Sequence, residues 1–251
     1  MRDRRQLALA LATAALVAAA SLTATAAAGA QATANAAPSQ AGKASLLHWA
    51  IDGGQAPING QIPTSVTMAA PPGFGLNYKA VAERCRPLQA KLNECPTKSR
   101  IGSAVLTIHI DKPAGPRDLP LSIKLYLGPK NSLLAVGFLA GVRVVPGSIS
   151  GSNGIAVTFN PLPTPPVIAQ VSYRFLGLSV DLGTHRTVTQ TVKSRTKGRR
   201  PAHKAKGKKT RIDLVSNAQQ CSSGSWAFTA TVGLPDGTRS VFDSPVACSA
   251  A

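Results

Sequence analysis

Acidic side chains are scarce in this chain: Asp and Glu number 10 in 251 residues, which leaves few candidates for the paired-carboxylate chemistry of glycoside hydrolysis. There is no Gly-x-Ser-x-Gly elbow. The nearest string, Gly147-Ser148-Ile149-Ser150-Gly151, puts Ile149 where the nucleophile would stand. No Cys-x-x-Cys or close His pair offers zinc-ligand spacing, so no metal, and no other cofactor, is expected. After residue 30 no stretch is long and apolar enough to cross a membrane as a helix. Aromatic residues are missing from the most basic part of the chain, residues 187–210, which removes the stacking platforms that single-stranded nucleic acid uses.

What is present begins with an export signal. Arg2, Arg4 and Arg5 stand against one acid, Asp3, and precede an apolar run over 7–22 interrupted only by Thr13 and Ser21. Ala28-Gly29-Ala30 then supplies small residues at the positions a signal peptidase inspects, with cleavage before Gln31; Ala26-Ala27-Ala28 is an equally legal site. The competing reading, a membrane anchor, is disfavoured because about 16 residues, half of them alanine, fall short of the roughly 20 needed to span hydrocarbon. No cysteine lies near the cleavage region, which excludes a lipidated anchor of the bacterial lipoprotein kind. Arg4-Arg5 also fits a twin-arginine signal, although two arginines serve equally as an ordinary n-region.

Residues 1–30 are therefore read as a signal peptide, residues 31–44 as a flexible Ala/Ser-rich linker, and residues 45–251 as one β domain. An oxidising compartment makes disulfides the expected state of Cys85, Cys95, Cys221 and Cys248. Four cysteines allow three pairings. Proximity favours Cys85 with Cys95 and Cys221 with Cys248, each worth on the order of 3 kcal/mol by loop-closure entropy.

The formal charge of +18 invites a nucleic-acid reading until it is located. Eleven basic residues lie between Arg186 and Arg211 with no acid among them: these two, with Lys193, Arg195, Lys197, Arg199, Arg200, Lys204, Lys206, Lys208 and Lys209. The signal peptide adds a net +2, and only +5 remains for the rest of the chain. Basicity belongs to one segment and not to the fold.

The fold reads as all-β. Leu106, Ile108 and Ile110 alternate with Val105, Thr107 and His109; Leu121, Ile123, Leu125 and Leu127 alternate with Ser122, Lys124 and Tyr126, as half-buried strands do. Further strands are expected over 46–51, 64–69, 133–139, 155–159, 167–175, 178–182, 187–192, 212–216 and 226–232. Asn153-Gly154 and Asp236-Gly237 suit tight hairpin turns, Asp52-Gly53 and Asn59-Gly60 looser ones. Helix is expected only as a turn or two over 78–84. The architecture these signals imply is an antiparallel β-sandwich or jelly roll, interrupted by a disordered basic loop over 193–210 that projects as a cationic finger.

For function, His48, His109, His185 and His203 are scattered with no carboxylate assignable by spacing, and Asp52, Asp111 and Asp181 fall at apparent strand ends where turns explain them. No catalytic residue is assigned. Cations on a flexible loop attract polyanions by counterion release, with little selectivity. Outside the membrane these are anionic lipid head groups, anionic cell-wall polymers and released nucleic acid, with no specific nucleic acid expected. A merely solvated charge run is the competing account of Lys193, Arg195, Lys197, Arg199, Arg200, Lys204, Lys206, Lys208 and Lys209. The proline-rich bridge over 160–166 suits a secreted scaffold. The reading is a secreted or envelope-associated, non-enzymatic β protein. Its alternative is a secreted hydrolase of carbohydrate or ester substrates whose site is built from distant residues.

Two stretches, Pro71-Pro72-Gly73-Phe74-Gly75-Leu76-Asn77 with the Cys85 and Cys95-Pro96-Thr97-Lys98-Ser99-Arg100-Ile101-Gly102 that follow, and Cys221-Ser222-Ser223-Gly224-Ser225-Trp226 with Cys248, resemble patterns in uncharacterised secreted, disulfide-containing β-rich proteins of high-GC actinobacteria. The resemblance implies no assigned activity. Trp226, close behind Cys221, is expected to cover the disulfide rather than bind a ligand.

Overall fold

A computed structural model describes residues 32–111, 117–138, 142–162, 172–190 and 208–251. The described strands, in chain order, are β1 (Ala32–Ala37), β2 (Leu46–Asp52), β3 (Ser65–Ala70), β4 (Gly75–Leu76), β5 (Arg100–Ile110), β6 (Arg117–Leu127), β7 (Ser132–Phe138), β8 (Val142–Ser150), β9 (Ile155–Phe159), β10 (Tyr173–Leu182), β11 (His185–Gln190), β12 (Lys208–Asp213), β13 (Val215–Ser216), β14 (Ser225–Gly233) and β15 (Arg239–Ala247). A single α-helix among the described residues, α1 (Pro87–Lys91), has Pro87 where a missing N–H does no harm. No described helix is long and apolar enough to cross a membrane.

Eleven strands form one antiparallel sheet in the order β1-β2-β10-β5-β6-β7-β8-β9-β3-β14-β15. The alternating side chains decide its inner face. Leu47, Trp49 and Ile51 of β2, Leu106 and Ile108 of β5, Ile123, Leu125 and Leu127 of β6, and Trp226, Phe228, Ala230 and Val232 of β14 are all buried in one core. To bury that face on both halves at once, the sheet curls into a barrel-like sandwich until its edge strands β1 and β15 lie side by side. The seam is closed by a side chain: the Ala34 N–H donates to Ser244 Oγ at 2.8 Å. Backbone takes over past the strand ends, where Ser249 N–H donates to Ser39 O (3.1 Å) and Ala41 N–H to Ser249 O (2.9 Å).

Aromatic rings fill the middle of the core. Phe74 meets Trp226 and Phe228 edge-on at 4.9 and 5.2 Å, and Trp49 lies 5.9 Å from Phe228. Trp226 gives its indole N–H to Gln220 O at 2.9 Å, and the Cys221–Cys248 disulfide packs against the same core. The second disulfide, Cys85–Cys95, clasps the segment bearing α1 onto the outer face of the sheet. There Cys85, Ala90, Tyr126, Leu134 and Val136 form a separate buried cluster. Tyr126 is thus buried although its strand position is on the outward face.

Three expectations need correction. The stretch read as a linker over 31–44 contains β1, which pairs in register with β2 from Ala32–Ile51 to Ala37–Leu46; its small side chains suit an edge where Ala36 is buried and a neighbouring strand comes close. The helical turns expected over 78–84 shrink to one 3-10 turn, Tyr78–Ala80, while the α-helix forms after Arg86. The expected strands over 187–192 and 212–216 are instead β11 and β12, so the basic connection runs over 191–207 and Lys208 and Lys209 are strand residues. The signal peptide, and the expected loop disorder at Lys193, Arg195, Lys197, Arg199, Arg200, Lys204 and Lys206, lie outside the described residues.

Candidate functional site

The strands β11 and β12 form their own two-stranded sheet, separate from the eleven-stranded one. Its register keeps cations apart: Lys209 faces Thr189, Arg211 faces Thr187, Arg186 faces Ile212 and His185 faces Asp213. Like charges directly opposite one another would destabilise the pair, and this register has none among its six pairs. Arg211 Nε also donates to Asp213 Oδ1 at 2.6 Å. Val188 and Ile212 are half-buried, and Ile212 packs against the main core, while Thr187, Thr189, Lys209 and Arg211 are exposed.

The root of the hairpin is fixed by buried residues and backbone bonds. Leu214 and Val215 are buried; Leu214 N–H donates to Thr184 O (2.8 Å) and Asn77 N–H to Leu214 O (2.7 Å). β13 pairs with β4. Next along the chain, the buried Asn217 donates through Nδ2 to Pro38 O and Gln40 O at 2.7 and 2.8 Å, tying the root to the segment behind β1.

Beside this root runs a groove made of two adjoining cavities of about 410 and 490 Å³, which share Thr97, Arg100 and Thr184. One extends past Ser103 and Asp181, the other past Lys98 and Arg186. One wall is the chain leaving the Cys85–Cys95 clasp, the 3-10 turn Thr97–Ser99 and the first residues of β5; the other is the passage from β10 into β11. The walls approach closely because residue 102 is glycine: a Cβ there would run into the Asp181 carbonyl oxygen. At the adjacent bulge Arg100 Nε donates to Gly102 O at 3.1 Å. Lys98 is 3.5 Å from Glu83 across exposed surface. Among the described residues neither Arg100 nor Arg186 is paired with a carboxylate.

Two of the four histidines, His48 and His109, find carboxylates that spacing along the chain does not reveal. His48 Nδ1 on β2 lies 2.8 Å from Asp181 Oδ1 on β10. His109 Nδ1 lies 2.6 Å from Asp118 Oδ1 and its Nε2 lies 3.2 Å from Asp111 Oδ1. Asp111 also accepts from Ser172 Oγ (2.9 Å) and Arg174 Nη2 (3.0 Å). The Ser172 hydroxyl is the main reason the Asp111 carboxyl sits below its ordinary range; lost hydration opposes the shift, and Arg174 and His109 reinforce it. Asp111 therefore serves an ion network, and Asp181 pairs with His48. Of the three strand-end aspartates, Asp52 alone acts within a turn, accepting from Gly54 N–H at 2.9 Å.

Both His109 nitrogens are taken by carboxylates, and among the described residues no hydroxyl or thiol hydrogen-bonds to either imidazole. A nucleophile activated by a base needs that contact. His185 stands at the start of β11, and His203 lies outside the described residues. No group of three or more His, Cys, Asp or Glu among the described residues is arranged to hold a metal ion. The groove escaped sequence reasoning because its walls come from residues about 80 positions apart; the one local signal was Arg100 and Gly102 in the stretch that follows Cys95. Compared with protein-family models, curated proteins and solved structures, the chain matches none.

Proposed function

We propose that the protein is exported, loses residues 1–30 as a signal peptide, and works outside the cytoplasmic membrane as a non-enzymatic β protein attached to anionic envelope polymers or membrane surface. Its two disulfides, Cys85–Cys95 and Cys221–Cys248, suit an oxidising compartment. The observation that carries the attachment reading is the separate β11–β12 hairpin: the basic connection over 191–207 is borne by an ordered, rooted stalk and not by a gap in the main sheet. Cations so presented gather polyanions by releasing counterions, and the binding weakens as salt rises.

The test removes residues 193–206, which spares β12, and measures retention of the purified protein on isolated cell walls and on anionic liposomes across a salt series. The full-length protein is expected to be held at low salt and released at high salt, and the deletion to be held much more weakly, with a shallower dependence on salt. Unchanged, salt-sensitive retention after the deletion would overturn the role of the loop.

A further inference from the structure

We infer that the groove at the hairpin root is a distinct, ordered binding site for a phosphodiester-linked polyol or sugar segment. The inference rests on the attachment reading above but concerns different residues. Arg100, Arg186 and Lys98 line one continuous depression together with four hydroxyl-bearing residues, Thr97, Ser103, Thr184 and Thr187. Arg100 is oriented through Nε by Gly102 O, and among the described residues its two terminal nitrogens have no hydrogen-bond partner. A guanidinium set in this way presents a fork that matches phosphate or carboxylate oxygens.

Size and composition choose between ligands. Two adjoining cavities of about 410 and 490 Å³ fall in the range that holds a drug-sized ligand, far more than one inorganic anion fills. A bare charge needs no row of hydroxyls. A chain of alternating phosphates and polyol units uses both: the cations take the phosphates, and the threonine and serine hydroxyls take the polyol oxygens. Cations on both walls suit a tetrahedral phosphate, which offers oxygens to either side, better than a planar carboxylate. Two carboxylates stand at the groove and each already has a partner: Asp181, which lines it, is engaged by His48 at 2.8 Å, and Glu83 lies 3.5 Å from Lys98. The division of labour is then capture by the basic segment over 191–207 and registration of one polymer segment in the groove.

The test titrates the full-length protein, the 193–206 deletion and an Arg100→Gln/Arg186→Gln variant with a short glycerol phosphate oligomer by calorimetry, with polygalacturonate and phosphatidylglycerol vesicles as comparison probes. Both arginines are exposed, so the variant should fold, and its near-ultraviolet circular dichroism checks that. The parent and the deletion are expected to bind the oligomer alike, and the double variant about ten-fold or more weakly, the scale of losing charge-assisted hydrogen bonds. In the parent, amide shifts on adding oligomer should concentrate at Thr97, Ser103 and Thr184. Equal binding by the double variant, shifts located elsewhere, equal affinity for polygalacturonate, or arginine-dependent binding of vesicles without binding of the oligomer would each overturn the proposal. Loss of oligomer binding in the deletion alone would also do so. Loss of cell-wall retention is a separate result that bears on the loop, so the two readings fail independently.

Discussion

The eleven-stranded sheet and the β11–β12 hairpin are built of the same secondary structure and held by different means. In the sheet, apolar side chains alternate inward from nearly every strand and fill one core with aromatic rings at its centre. In the hairpin only Val188 and Ile212 supply apolar bulk at the described inner positions, and both are half-buried; its exposed positions carry Lys209 and Arg211 between threonines. A two-stranded hairpin is marginal on its own. This one is secured at its root by Leu214, Val215 and the bonds from Leu214 and Asn77. Folding and charge are thus assigned to separate parts of the molecule, so the charged segment can be removed with little damage to the core.

That separation can be tested at four levels of effect. The largest belongs to the core: Trp49→Ala or Phe228→Ala should each destabilise the protein by about 3–5 kcal/mol in chemical denaturation, since both side chains are essentially inaccessible. Next come the clasps. Replacing both Cys221 and Cys248 by serine removes a cross-link over 27 residues, with an expected loss of about 3.5 kcal/mol. The shorter Cys85–Cys95 bridge, over 10 residues, is worth about 2.7 kcal/mol by the same reckoning. Its removal should also loosen Thr97 and Lys98 and so weaken binding in the groove, which the other pair should not do.

A smaller effect is expected from deleting residues 193–206: a change in unfolding free energy within about 1 kcal/mol, by analogy with the weak dependence of stability on loop length, alongside much weaker retention on cell walls. A large destabilisation would show that the two regions are not independent. The smallest effect concerns acid. The Asp111 carboxyl lies below its ordinary 3.8 in the folded protein, chiefly through Ser172. Its contribution is therefore full above the unfolded carboxylate value and is lost as pH falls through the folded one. Ser172→Ala should remove part of this dependence, so the melting temperatures of parent and variant should converge as pH drops below about 4. A constant gap down to strongly acidic pH would assign the Ser172 contact no role in titration.

Much of the sheet was legible because burial follows a two-residue period wherever one face meets a core. β5 and β6 show it plainly, and both disulfides followed from proximity along the chain. What was illegible had particular causes. β8 and β15 contain Pro146 and Pro245, and a proline argues against a strand. Pro245 is tolerated because β15 is an edge strand of the ladder, and Pro146 because the β8–β9 ladder begins only at Gly147. β1 hid in alanine, whose lack of bulk reads as linker. Tyr126 broke the alternation because a disulfide-clasped helix covers the outer face. The groove and the His–Asp pairs were invisible because they depend on register: His109 meets Asp118 only once β5 and β6 are paired, and His48 meets Asp181 only across β2 and β10.

The seam between β1 and β15 bears on what the protein must survive. An open sheet of eleven strands would present two ladders of unpaired amides and carbonyls, each a template on which another chain could add. Here the two vulnerable edges face each other, with a serine hydroxyl bridging them and a proline in the outer strand. The fold thus hides its own polymerisation sites. That protection against edge-to-edge addition works without any net charge on the barrel.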